Sequence, residues 1–181
     1  MPIIPKIIGV GLPHTGGSVL AEALGVLGVG HVEQRPELPM QRYRKSGRWD
    51  MGKLDAVYDI NPWALPAIRR AYPGAMLIHT ITPLNEWAEG WVGRQVEDTR
   101  HLLEVFGVGR ICRPVFEDTY KRHGAYISEF FQNDSGPHTA LNVCDGWPPL
   151  CNALGIPAPV QSFPHTNQQG VRPWTPNAYN V

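Results

Sequence analysis

Apolar positions in this chain follow two periods, and the alternation between them predicts the fold class. Ile7 to Gly11 is a continuous apolar run closed by glycine, the pattern of a strand buried on both faces. From Val19 to Leu27 the period changes. Leu20, Leu24 and Leu27 fall on one helical face, with Val19, Ala23 and Val26 beside them. The glycines of "LGVG", ending at Gly30, stop that helix. His31 to Glu33 predicts a second short strand. Pro62 to Ala71 predicts a helix with proline in its first turn. A turn at Pro73 and Gly74 leads into a buried strand from Ala75 to Ile81. Asn85 to Phe106 predicts a long helix, broken near Gly93. The stretch 113–132 predicts another, with Val115, Tyr120, Ile127 and Phe130 as its apolar markers. Thr139 to Cys144 reads as a strand, and 146–155 as a short helix ending at Gly155.

Two stretches lack a period. Residues 34–53 are polar, basic and interrupted by proline, and predict a long loop or a helix-loop excursion, a length often tied to function. After Pro157 the chain is rich in proline and asparagine. The expectation is one domain over 1–167 and an extended C-terminal arm over 168–181, which could clasp a second copy of the chain. Strands alternating with helices predict an α/β domain with a mainly parallel central sheet flanked by helices in three layers. Ligands of such sheets bind beyond the C-terminal strand ends.

Composition narrows the function classes. The 181 residues carry 16 Lys and Arg against 16 Asp and Glu, so the formal net charge is zero. A general nucleic-acid binder would carry a basic excess. Cys112, Cys144 and Cys151 show no CxxC spacing, and no Cys/His cluster has the spacing of a zinc site, so no metal is expected. The cysteines read as buried apolar groups. The start "MPIIPKIIGVG" lacks the charged region and long apolar run of a secretory leader, and no run reaches the roughly 20 apolar residues of a membrane span. A cytoplasmic protein with reduced thiols is expected.

The chemistry concentrates in "GLPHTGGS", Gly11 to Ser18, between the first strand and the first helix. The spacing is close to the phosphate loop G-x-x-x-x-G-K-[ST]. Glycines let several N–H groups turn inward, the following helix adds its positive end, and Thr15 and Ser18 add hydroxyls. Gly17 stands where the lysine belongs, which argues against a kinase or nucleoside triphosphatase. His14 is the titratable side chain of the loop.

These residues resemble the P-loop sulfotransferases, in particular the compact group with a GxPRTGT-type loop. The likeness runs over about Ile7 to Asn167. It is carried by "VGLPHTGGSVLAEALGVLGVGHVE", by "AYPGAMLIHTITPLNEWAEGW", by "YKRHGAYISEFF" and, most specifically, by "LNVCDGWPPLCNALGIPAPVQSFPHTN". The resemblance implies a P-loop sulfotransferase fold. It also implies the donor 3′-phosphoadenosine 5′-phosphosulfate (PAPS), a hydroxyl acceptor that is a small molecule, glycan or lipid, and no need for a metal.

Carried over position by position, the resemblance implies donor contacts at Gly11, Pro13, His14, Thr15, Gly16, Gly17 and Ser18. His14 replaces the loop cation, and Gly17 a threonine. The 3′-phosphate arginine falls at Thr82 or, one register away, at Ile81. The accompanying serine falls at Gly90. Arg94, or the basic stretch holding Arg42, Arg44, Lys45 and Arg48, is then the expected substitute cation. His31 and Glu33 fall where the base that accepts the acceptor's proton is expected, and His14 would donate to the leaving oxygen. Trp63, Trp87, Trp91 and Trp147 read as core or edge packing. The substituted anion contacts leave a second reading open, a sulfotransferase fold without catalysis that serves as a binding or assembly subunit.

Overall fold

The computed structural model describes residues 4–34, 37–91 and 99–164. Five strands form one sheet in the order β2-β3-β1-β4-β5, every neighbouring pair parallel. They are β1 (Ile7–Gly9), β2 (Val32–Gln34), β3 (Ala56–Tyr58), β4 (Met76–Ile81) and β5 (His138–Asn142). The described helices are α1 (Gly17–Val26), α2 (Glu37–Ser46), α3 (Leu65–Ala71), α4 (Leu84–Trp91), α5 (Thr99–Phe106), α6 (Arg113–Asn133) and α7 (Trp147–Leu154). The architecture is α/β, with helices on both faces of a parallel sheet, consistent with a sulfotransferase-like fold.

Neighbouring strand residues point to opposite faces, and the two faces fill with different helices. Ile7 and Ile78 pack with Leu20, Ala23 and Leu24 of α1 and with Leu150 and Cys151 of α7. Ile8 and Leu77 pack with Leu65 and Ile68 of α3, Ile127 of α6, and Trp49 and Met51. A third cluster lies by the loop after β1, where Leu12, Trp87, Trp91, Leu102, Phe106 and Phe116 join α4, α5 and α6. Phe106 and Phe116 stack with ring centroids 3.8 Å apart. Prolines stand in the first turns of α3, α6 and α7, where their missing N–H costs nothing.

One feature departs from the sequence expectation. Strand β3 was not foreseen. It has three residues and no readable period, and it exists because Ala56 and Val57 are buried between β1 and β2. The excursion 34–53 contains α2, whose basic face hides the anchoring Met40 and Tyr43. Helices α4 and α5 occupy the two ends of the expected long helix, and 92–98 lie outside the described residues, as do His165 and the arm 168–181. No described helix is long and apolar enough to cross a membrane.

The edge of the sheet opposite the loop is tied by one cation. Arg69 Nε donates to both Asp134 carboxylate oxygens at 3.0 and 2.9 Å, and the guanidinium also donates to the carbonyls of Pro73, Ala75 and Pro137. The pair is nearly buried, with side chains 13% and 7% exposed, so neither charge can fall back on water. It locks α3, the turn into β4, the end of α6 and the approach to β5. Arg69→Ala leaves the nearly buried Asp134 carboxylate with His138, 3.9 Å away, as its remaining ion-pair neighbour. It should cost about 3–5 kcal/mol, read as a shift in the urea unfolding midpoint.

Candidate functional site

The chain leaves β1 at Gly9, turns through Val10 to Gly16 and enters α1 at Gly17. Side chains from neighbouring elements hold the carbonyls of this turn. His123 Nε2–H of α6 donates to Val10 O at 2.8 Å, which assigns His123 the Nε2–H tautomer. Trp87 Nε1–H of α4 donates to Pro13 O at 2.8 Å. Leu12 O accepts from the Thr15 N–H at 3.1 Å and from its hydroxyl at 2.6 Å. On the neighbouring strand end, the Tyr120 hydroxyl donates to Thr82 O at 2.5 Å. Each carbonyl oxygen, a partial negative charge, is thereby bound to the protein. The first N–H groups of α1 have no partner within their own helix, and its N-cap residue, Gly16, has no side chain to cap them. That end is suited to an anion.

Local backbone explains the residue types. Gly16 sits at φ 103°, and a β-carbon there would stand 2.6 Å from Val143 Cγ1. His14 adopts φ 66°, a region histidine tolerates better than most residues. Its exposed ring rests edge-on against Trp91, centroids 4.4 Å apart. A β-carbon at Gly17 would lie 2.7 Å from Tyr58 Cδ2 and 2.9 Å from Asp59 Oδ1. A side chain at position 17 would require Tyr58 and Asp59 to shift.

The sequence-predicted residues separate accordingly. Gly11, Pro13, His14, Thr15, Gly16, Gly17 and Ser18 form one turn, and Ser18 is exposed at its helical end. Thr15 is corrected as an anion donor. It is 2% exposed, its one hydroxyl proton goes to Leu12 O, and its oxygen lies 2.9 Å from Thr80 Oγ1. Thr82 is half-buried, and Gly90 is exposed on α4 with open space around it. Arg94 lies outside the described residues. His31 is misplaced as a base. It precedes β2 at the N-terminal edge of the sheet, with Nδ1 3.3 Å from Asp55 Oδ2, about three strand residues (~10 Å) from the loop edge. Glu33 lies mid-strand, exposed, level with Val57. The basic stretch is displaced too. Helix α2 bridges β2 and β3, on the far side of β1 from Thr82, and Arg42 is paired with Asp50.

The carboxylate that does face the loop is Asp59, at the end of β3. Gln34 Nε2 at the end of β2 donates to Asp59 Oδ2 at 2.7 Å, and Asp59 adopts φ 57°. Its strand was not foreseen, so its position was hidden. The polar "YD" after an apolar pair was the available signal.

Beneath the loop is a cavity of about 80 Å³, lined by Leu12, Thr15, His79, Tyr120, His123 and Gly124. The rings of His79 and His123 stand 5.5 Å apart. Burial, and then repulsion from His123, lower His79 from 6.5 to about 4. Burial also lowers His123, opposed by its bond to Val10 O. Both imidazoles are therefore neutral at pH 7 and add no charge beneath the loop. The unfolded chain protonates His79 near pH 6.5, whereas the folded chain does so near 4. Stability is full above about pH 6.5 and falls as the pH drops to about 4, by roughly 3 kcal/mol for His79. Melting temperatures between pH 7 and pH 4 should fall steeply in the native chain and less steeply in His79→Gln.

Residues 91–171 match the family model of a sulfotransferase domain. The match begins at Trp91, beyond the loop, and takes in α5, α6, β5 and α7. No curated protein matches the chain significantly. Over the matched stretch, less than half of its length, the chain is sulfotransferase-like.

Proposed function

We propose that the turn from Gly11 to Ser18 binds the phosphosulfate end of PAPS and that the protein transfers its sulfuryl group to a hydroxyl acceptor. The observation that carries this reading is the loop backbone, with its carbonyls held by His123, Trp87 and Thr15 and the start of α1 beside them. The sulfotransferase-like segment 91–171 supports it. The described residues fit the phosphosulfate half of such a donor. They do not supply the cation of a 3′-phosphate site at Thr82 or Gly90.

When bound, the donor offers an electrophilic sulfur with a phosphate leaving group. The chain's own residues then have these roles. The N–H groups opening α1 and the Ser18 hydroxyl hold the charged oxygens, as donors preorganised toward the developing charge. His14 donates a hydrogen bond to the leaving oxygen. Asp59 replaces His31 and Glu33 in the role of base. Its carboxylate would take the proton that the acceptor hydroxyl gives up on transfer. Gln34 fixes the carboxylate's orientation.

The missing 3′-phosphate cation favours a second reading, a sulfotransferase fold that binds without catalysing. Calorimetric titration with 3′-phosphoadenosine 5′-phosphate separates the two. Under the first reading it binds, and Ser18→Ala weakens it about tenfold. Gly16→Ala should weaken it more, through the strained φ and the contact with Val143. Asp59→Asn should tighten binding, by removing a like charge, while transfer to any acceptor falls at least about 100-fold, the lower range for loss of a general base. No binding at millimolar ligand overturns the enzyme reading.

A further inference from the structure

Trp63 does not behave as the other tryptophans do. Trp87, Trp91 and Trp147 are 1%, 2% and 7% exposed and lie in the core, whereas Trp63 is 67% exposed and lies at the edge. Its mounting is nonetheless rigid. Asn61 Oδ1 accepts from the Trp63 N–H at 3.1 Å, Pro62 starts the 3₁₀ turn Pro62–Ala64, and the Tyr43 hydroxyl donates to Trp63 O at 3.1 Å. The indole leans on Tyr126 of α6, ring centroids 5.3 Å apart. An exposed aromatic plane held this way loses little freedom on binding.

The plane lies close to the candidate site. Trp63 follows Asp59 by four residues, and Tyr126 is one helical turn along α6 from His123, which holds the loop at Val10. The chain as a whole is neutral, but Tyr43 is flanked by Arg42 and Arg44, with Lys45 and Arg48 beyond. Arg42 is paired with Asp50, while Arg44, Lys45 and Arg48 are exposed and have no carboxylate partner among the described residues. The Tyr43 hydroxyl bond to Trp63 O joins the helix that carries these cations to the turn that carries the indole.

We propose that Tyr43, Trp63 and Tyr126 form the acceptor platform and that the acceptor is an anionic oligosaccharide. A sugar ring stacks on the Trp63 indole, and carboxylate or sulfate groups on adjacent sugars meet Arg44, Lys45 and Arg48, since guanidinium groups pair well with such planar or tetrahedral anions. The proposal rests on the sulfotransferase reading for its chemistry, but its binding surface is separable from the donor loop.

The test is a titration of the full chain with a chondroitin sulfate hexasaccharide at low salt, followed by tryptophan fluorescence and calorimetry, with maltohexaose and a simple phenol as comparison ligands. Saturable binding of the anionic hexasaccharide is expected. Trp63→Ala and the double variant Arg44→Ser, Lys45→Ser should each weaken it at least tenfold, and Trp63→Phe should retain most of it. The affinity for 3′-phosphoadenosine 5′-phosphate should not change in any of them. No binding of the hexasaccharide overturns the platform. So does binding that Trp63→Ala leaves intact, equal binding of maltohexaose, or binding of the phenol alone at Trp63. A chain that binds the nucleotide and no hexasaccharide loses this proposal alone. One that binds the hexasaccharide through Trp63 and no nucleotide keeps the platform and loses the donor reading.

Discussion

The site depends on where four backbone carbonyls go. An anion at the start of α1 would be repelled by any peptide oxygen turned toward it, and a tight turn after a buried strand has several to dispose of. His123, Trp87 and Thr15 accept that task for Val10, Pro13 and Leu12, and Tyr120 does the same for Thr82 on the adjacent strand end. Three of the four donors come from α4 and α6, so the packing of those helices is a condition of the loop's geometry. The cluster that joins Trp87, Trp91, Phe106 and Phe116 belongs to the site in that sense. It shapes the electrostatics without contacting an anion.

The same arrangement accounts for the residues that looked like losses. At position 17 the Tyr58 and Asp59 side chains stand against the glycine, so any side chain there would have to displace them. In exchange the loop gains a carboxylate neighbour. A carboxylate beside a helix N-terminus is costly for anion binding and useful for taking a proton, and the two effects oppose each other within one site. The buried pair His79 and His123 adds no compensating charge at neutral pH, because burial holds both neutral.

Legibility in the sequence followed the length and period of each segment. Strands β1 and β4, helices α1, α6 and α7, and the turn between β1 and α1 carry clear apolar runs or helical spacing, and each was foreseen to within a few residues. Strand β3 was hidden because three residues cannot display a period, and with it went Asp59. The position of His31 was not legible for a related reason. A strand residue's edge is set by the direction and register of its neighbours, and β2 runs so that His31 enters at the wrong end. Which of Trp63, Trp87, Trp91 and Trp147 stands at the edge was not legible, because an exposed and a buried tryptophan look alike in one dimension.

By itself, the amino-acid sequence determined the alternation of strand and helix, the parallel α/β class, and a glycine-rich turn fit for an anion, since these follow from local period and backbone freedom. Only the tertiary structure decided which side chains meet at that turn. Strand order placed Asp59 against Gly17 and put α2 across from Thr82. Packing spent the Thr15 hydroxyl on Leu12 and left Trp63 in solvent. Those contacts join residues distant in sequence, such as Val10 and His123, and no local pattern encodes which of many apolar and polar groups will come together when the chain closes on its core.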